Sequence, residues 1–87
     1  MPLIKKQLVV KNKQGLHARP AALFVQIANK FDSRITVTGG NEEVNGKSIM
    51  GILMLGAEKG TTIVIEVEGD DAATALSELE RVVNNEE

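Results

Sequence analysis

At 87 residues the chain has room for one domain, 1–87, with a single modest core. Ten basic against twelve acidic residues leave a net charge of -2, which argues against general attraction to nucleic acid or an anionic membrane. With no cysteine and one histidine, neither a disulfide framework nor a metal centre is expected, and nothing calls for a cofactor.

Residues 1–10 hold two lysines and no long apolar run, so neither a signal peptide nor a membrane anchor is expected there, and the expected location is cytoplasmic. "LIKKQLVVK" places Ile4, Leu8 and Val10 on one side and reads as a half-buried strand. "NKQG" breaks it. "ARPAALFVQIANKF" then follows with helical spacing, its inward stripe made by Ala21, Phe24, Val25, Ala28 and Phe31. "RITVT" puts Ile35 and Val37 on one face, "GG" turns the chain, and "EEV" returns as a short hairpin partner. "KSIMGILML" reads as a short helix starting near Ser48, which serves as its N-cap. In "TTIVIEVEG", Ile63, Ile65 and Val67 face inward while Thr62, Val64, Glu66 and Glu68 face out. The last helix, "GDDAATALSELERVV", takes Asp70 as N-cap and turns Leu76, Leu79 and Val83 inward; the acidic "NNEE" reads as a frayed end.

The order is β-α-β-β-α-β-α. Strands with one polar face need cover on the other face only, so the predicted fold is α+β, with the helices on one side of an antiparallel sheet.

The stretch "GLHARPA" holds the one histidine of the chain. The pattern puts His17 at or next to the helix N-cap, with Ala18, Arg19 and Pro20 in the first turn, where proline loses no intrahelical bond. That turn exposes unpaired backbone N–H groups, Ala18 contributing one, and a partial positive charge. An anion would be held there, and Arg19 adds a permanent guanidinium. A neutral imidazole beside such a pocket is a nucleophile able to accept and return a phosphoryl group. A histidine at a helix end is also an ordinary exposed residue; the neighbouring Arg19 and the sharp "NKQG" break weigh toward chemistry without deciding between the two readings.

"GLHARPAALFVQIANKF" together with "VNGKSIMGILMLG" resembles the histidine-containing phosphocarrier family, HPr, of the bacterial phosphoenolpyruvate-dependent sugar phosphotransferase system. The resemblance covers nearly the whole chain. It implies an open-faced β-sandwich of four antiparallel strands and three helices. It also implies that His17 takes phosphate on Nδ1 from phosphorylated enzyme I, passes it to sugar-specific enzyme IIA components, and is supported by Arg19. On that reading the protein is a stoichiometric carrier and not an enzyme.

The same resemblance assigns Ser48 a second role, as the serine phosphorylated by HPr kinase/phosphorylase. The serine form then acts with a catabolite-control transcription factor or weakens transfer through the histidine. A phosphate there would stand on the positive end of a helix. Gly46 and Met54 depart from the family pattern, where a bulkier and a smaller, more polar residue are expected; kinase recognition is the step they touch.

Ile49, Met50, Ile52, Leu53, Met54 and Leu55 point all round a helix of two turns at most, so some must be exposed. Methionines suit a surface that fits several partners. By resemblance, Ile49, Met50 and Met54 lie near His17 and dock enzyme I, enzyme IIA and the kinase. An RNA-binding sheet would need exposed aromatics, yet Phe24 and Phe31 are assigned to the core. The competing reading stays inside the family: a regulatory HPr-like protein, or a carrier in a nitrogen-related phosphotransfer branch, acting through protein–protein contacts.

Overall fold

The computed structural model describes residues 1–86. It contains strand β1 (Leu3–Val9), helix α1 (Ala18–Ala28), strands β2 (Arg34–Gly39) and β3 (Glu42–Asn45), helix α2 (Ile49–Leu55), strand β4 (Thr62–Glu68) and helix α3 (Ala72–Asn84). The strands form one sheet in the order β1-β4-β2-β3, every neighbouring pair antiparallel. The expected element order and fold class are those observed.

Alternation decides which face is covered. Leu8 lies opposite Ile63, Ile4 opposite Val67, and Val67 in turn opposite Ile35, so one face presents a continuous apolar row. Ile35, Val37, Ile63, Ile65 and Val67 are all buried there beneath Phe24, Leu76, Leu79 and Val83 from the helices. Lys6 shares this face at the edge of the sheet and reaches over to Glu80 of α3, with Nζ 2.9 Å from the carboxylate. Such an inward-pointing charge also guards an open strand edge. The opposite face carries Lys5, Gln7, Thr36, Thr38 and Glu66, none of them buried.

Several boundaries differ from the sequence reading. β1 ends at Val9, and Val10 is buried in the following loop, tied by its N–H to Thr61 O at 2.9 Å. α1 stops at Ala28, where Asn29 takes over as C-cap, so Phe31 packs on the core from outside the helix. The N-cap of α3 is Asp71 and not Asp70, and its side chain makes no cap hydrogen bond. Asp71 turns instead to the chain ahead of β2, accepting from the N–H groups of Asp32 and Ser33 and from the Ser33 hydroxyl. A tertiary partner has taken the carboxylate that a local rule would assign to the helix.

At the other end of α3, Asn84 is still helical and Asn85 is tied in by its N–H to Val82 O, so the frayed end does not include them; Glu87 lies outside the described residues.

Candidate functional site

His17 is the N-cap of α1, with extended backbone and no side-chain cap hydrogen bond. Its carbonyl accepts from Ala21 N at 3.4 Å and starts the helix. The ring is therefore not spent on capping: among the described residues neither His17 nor Arg19 has a side-chain hydrogen bond or ion pair. His17 is half-buried and Arg19 is exposed.

Ala18 follows at φ 49, the one non-glycine residue with positive φ among the described residues. For an L-residue that conformation costs about 1–2 kcal/mol, because Cβ crowds the following carbonyl. Its N–H and that of Arg19 have no intrahelical acceptor, and Pro20 has no N–H at all. Two exposed donors therefore stand at the positive end of an eleven-residue helix. Beside them a groove of about 280 Å³ is lined by Lys13, Gln14, Ala18, Arg19 and Pro20. Lys13 and Arg19 bring two cations to it, and no carboxylate lines it. The field there favours an anion.

The loop that delivers His17 is pinned from beneath. Leu16 is fully buried and its N–H donates to Ala57 O at 2.8 Å. Gly15 has φ +77 and lies so close to Ala57 and Glu58 that a Cβ would overlap their backbone. The segment leaving α2 is thus the floor of the His17 loop.

Ser48 is the N-cap of α2, and its Oγ accepts from Gly51 N at 3.0 Å, the role expected of it. The preceding residue is clamped to the segment that ends α1: Asn29 donates its amide to Lys47 O at 3.0 Å, and Lys47 Nζ donates to Phe31 O at 2.6 Å. Gly46, where a bulkier residue was expected, is buried against Ile35 so tightly that a Cβ would overlap the branched side chain. Packing on β2 explains that departure.

Only Ile52 of α2 is buried. Met50 is 64% exposed and Met54 73%, with Ile49 and Leu53 close to 40%. The helix is not sunk in the core: it presents an apolar ridge to solvent. No hydrogen bond or ion pair among the described residues joins the side chains of His17, Arg19 and Ser48; the two elements are tied instead by Leu16 on Ala57 at one end of α2 and by Asn29 on Lys47 at the other.

What sequence reasoning missed is the strained Ala18, the cation Lys13 and the support beneath the loop. Only the glycine at 15 could have signalled the last of these. Among the described residues, no group of three or more His, Cys, Asp or Glu side chains could hold a metal ion, and no helix is long and apolar enough to cross a membrane.

Comparison with known proteins converges on one family. The family model for the PTS HPr component phosphorylation site matches residues 4–85. Phosphocarrier protein HPr of Neisseria meningitidis serogroup A is 45% identical over 82 residues, 94% of this chain and 92% of the relative. The crystal structure of phosphocarrier protein HPr from Bacillus anthracis str. Ames superimposes with a TM-score of 0.90 at 47% identity, covering 93% of this chain and 96% of the other. The HPr-like protein Crh of Halalkalibacterium halodurans is also 45% identical, over 97% of this chain and 100% of its own. With the family model matched over residues 4–85 and the fold shared over 93% of the chain, this chain belongs to the PTS HPr family.

Proposed function

We propose that this protein is a stoichiometric phosphoryl carrier that takes phosphate from phosphorylated enzyme I on His17 and passes it to sugar-specific enzyme IIA components. The supporting observation is the uncommitted ring of His17 at the N-cap of α1, whose first turn also carries two free backbone donors and the exposed Arg19. The ring nitrogen attacks phosphorus, a P–N bond forms to His17, and the bond from phosphorus to the donor breaks with its electron pair leaving on the donor. The Ala18 N–H and Arg19 meet the charge of the transferred group. The return step is the same exchange with the enzyme IIA component as acceptor. Ile49, Met50 and Met54 form the docking surface. Ser48 is the regulatory serine, phosphorylated by HPr kinase/phosphorylase and read by a catabolite-control transcription factor.

The test is mass spectrometry after incubation with enzyme I and phosphoenolpyruvate. The parent is expected to gain one acid-labile phosphate, and His17→Ala none while keeping its thermal melt. Arg19→Glu is expected to slow transfer with little change in melting temperature. Acid-labile phosphate on His17→Ala would overturn the assignment.

The match to Crh supports a second reading, a regulatory HPr-like protein working through Ser48. A protein confined to that branch has no use for a histidine at position 17. Failure of the parent to take phosphate from enzyme I would favour it.

A further inference from the structure

We propose that Asn12 is a positioning residue for His17, a role that rests on His17 being the phosphoryl acceptor. Asn12 lies in the loop between β1 and α1 and is only 2% exposed. Burial alone would select an aliphatic residue there, since an amide is costly to bury unless it is hydrogen-bonded. Asn12 spends its amide on α3: Nδ2 donates to Val82 O and to Asn85 O, both at 2.8 Å. These carbonyls belong to the end of a helix, where intrahelical donors run out. The neighbouring Lys11 N donates to Val83 O at 3.0 Å, so two consecutive residues of the loop grip the same helix end. Oδ1 is buried and faces no donor among the described residues, so the amide is kept for what it donates.

The grip is transmitted directly to the acceptor. Asn12 O accepts from Gly15 N at 3.0 Å, closing a four-residue turn. The turn hands the chain to Leu16, which is anchored on Ala57, and then to His17 and the strained Ala18. A non-glycine residue at positive φ persists only where its surroundings over-determine it. Of the hydrogen bonds that hold residues 10–16 among the described residues, those of Asn12 to Val82 and Asn85 alone use a side chain of the loop. It thereby makes the attitude of the His17 ring depend on the far end of α3, 70 residues away in sequence.

Asn12→Ala removes both donors, and Asn12→Ser leaves a shorter hydroxyl with one. Both are compared with the parent as substrates of enzyme I, alongside Val67→Ala, a core change in β4 that leaves the loop alone. Displacement of a reacting group by about 1 Å can slow a reaction on the order of a hundredfold, and partial loosening is expected to cost Asn12→Ala roughly tenfold in kcat. KM should stay within about twofold, because the exposed face of α2 is untouched. Asn12→Ser should fall between, and Val67→Ala should match the parent kcat while folded. In NMR spectra the Leu16 and Ala18 amide resonances should move in Asn12→Ala and stay in place in Val67→Ala.

Parent kcat in folded Asn12→Ala would overturn the proposal, as would an equal loss in Val67→Ala. If Asn12→Ala does not fold, parent kcat in Asn12→Ser does the same. If the parent itself takes no phosphate, the carrier reading fails. The NMR comparison then decides the positioning claim, and unmoved Leu16 and Ala18 resonances overturn it.

Discussion

Ser33 donates a hydrogen bond from its hydroxyl to the Asp71 carboxylate, fastening the start of α3 to the chain that leads into β2. That hydrogen bond, helped by the N–H groups of Asp32 and Ser33, holds the Asp71 carboxyl below the ordinary carboxylate range against the opposing pull of desolvation. A group depressed on folding contributes stability above its unfolded pKa and loses it as acid protonates the folded form. Ser33→Ala should therefore lower the melting temperature at pH 7, above the ordinary Asp value of about 3.9. The gap from the parent should close as pH falls through the depressed value. Thermal melts from neutral pH into strong acid check this, and a pH-independent gap would assign the loss to packing alone.

The two kinds of apolar residue on α2 should separate cleanly in mutational tests. Ile52 is fully buried, so Ile52→Ala should cost about 2–5 kcal/mol in urea unfolding. Met50→Glu and Met54→Glu lie on the exposed ridge and should stay within about 0.5 kcal/mol of the parent. Transfer from enzyme I should nonetheless weaken in both, more in Met50→Glu. Unfolding of either glutamate variant would make the ridge structural.

Ser48 offers a test of coupling between the two centres. Ser48→Ala loses the bond to Gly51 N and should cost about 1 kcal/mol, whereas Ser48→Asp restores an acceptor and a favourable charge at the helix start. The aspartate also stands at the edge of the apolar ridge. Desolvating it against a partner should raise the apparent KM for this protein with enzyme I, with the melt nearly unchanged. Transfer kinetics at several concentrations, beside melts of the same samples, decide the matter. Parent kinetics in Ser48→Asp would leave Ser48 as a cap only.

The legible parts of the sequence were those governed by neighbours in the chain. Ile63, Ile65 and Val67 alternate as a strand must, and Leu76, Leu79 and Val83 repeat as a helix must. Ser48 could be read as a cap because its acceptor serves an amide three residues on. Asp70 and Asp71 are chemically identical candidates in sequence, and contact with Ser33, 38 residues away, separates them. Nothing in "LHARP" announces that Ala18 takes a positive φ, since alanine is the wrong residue for it and the surrounding loop imposes it. Asn12 looks like a turn residue, and its partners lie at the opposite end of the chain. The family and the residues of the candidate site were readable in one motif, and the contacts that support that motif were not.

The strand order carries a consequence for synthesis. β4, made late, sits between β1 and β2, so during translation the first strand has no partner until residues 62–68 emerge. The His17 loop waits longer still, because its anchors on Val82, Val83 and Asn85 follow β4 in the chain. Closing such distant contacts is slow compared with forming a local helix. On the ribosome, the nascent chain therefore displays its histidine without the architecture that orients it. The shape of the His17 loop thus belongs to a chain that has closed on α3, and a product truncated before α3 carries the motif without that support.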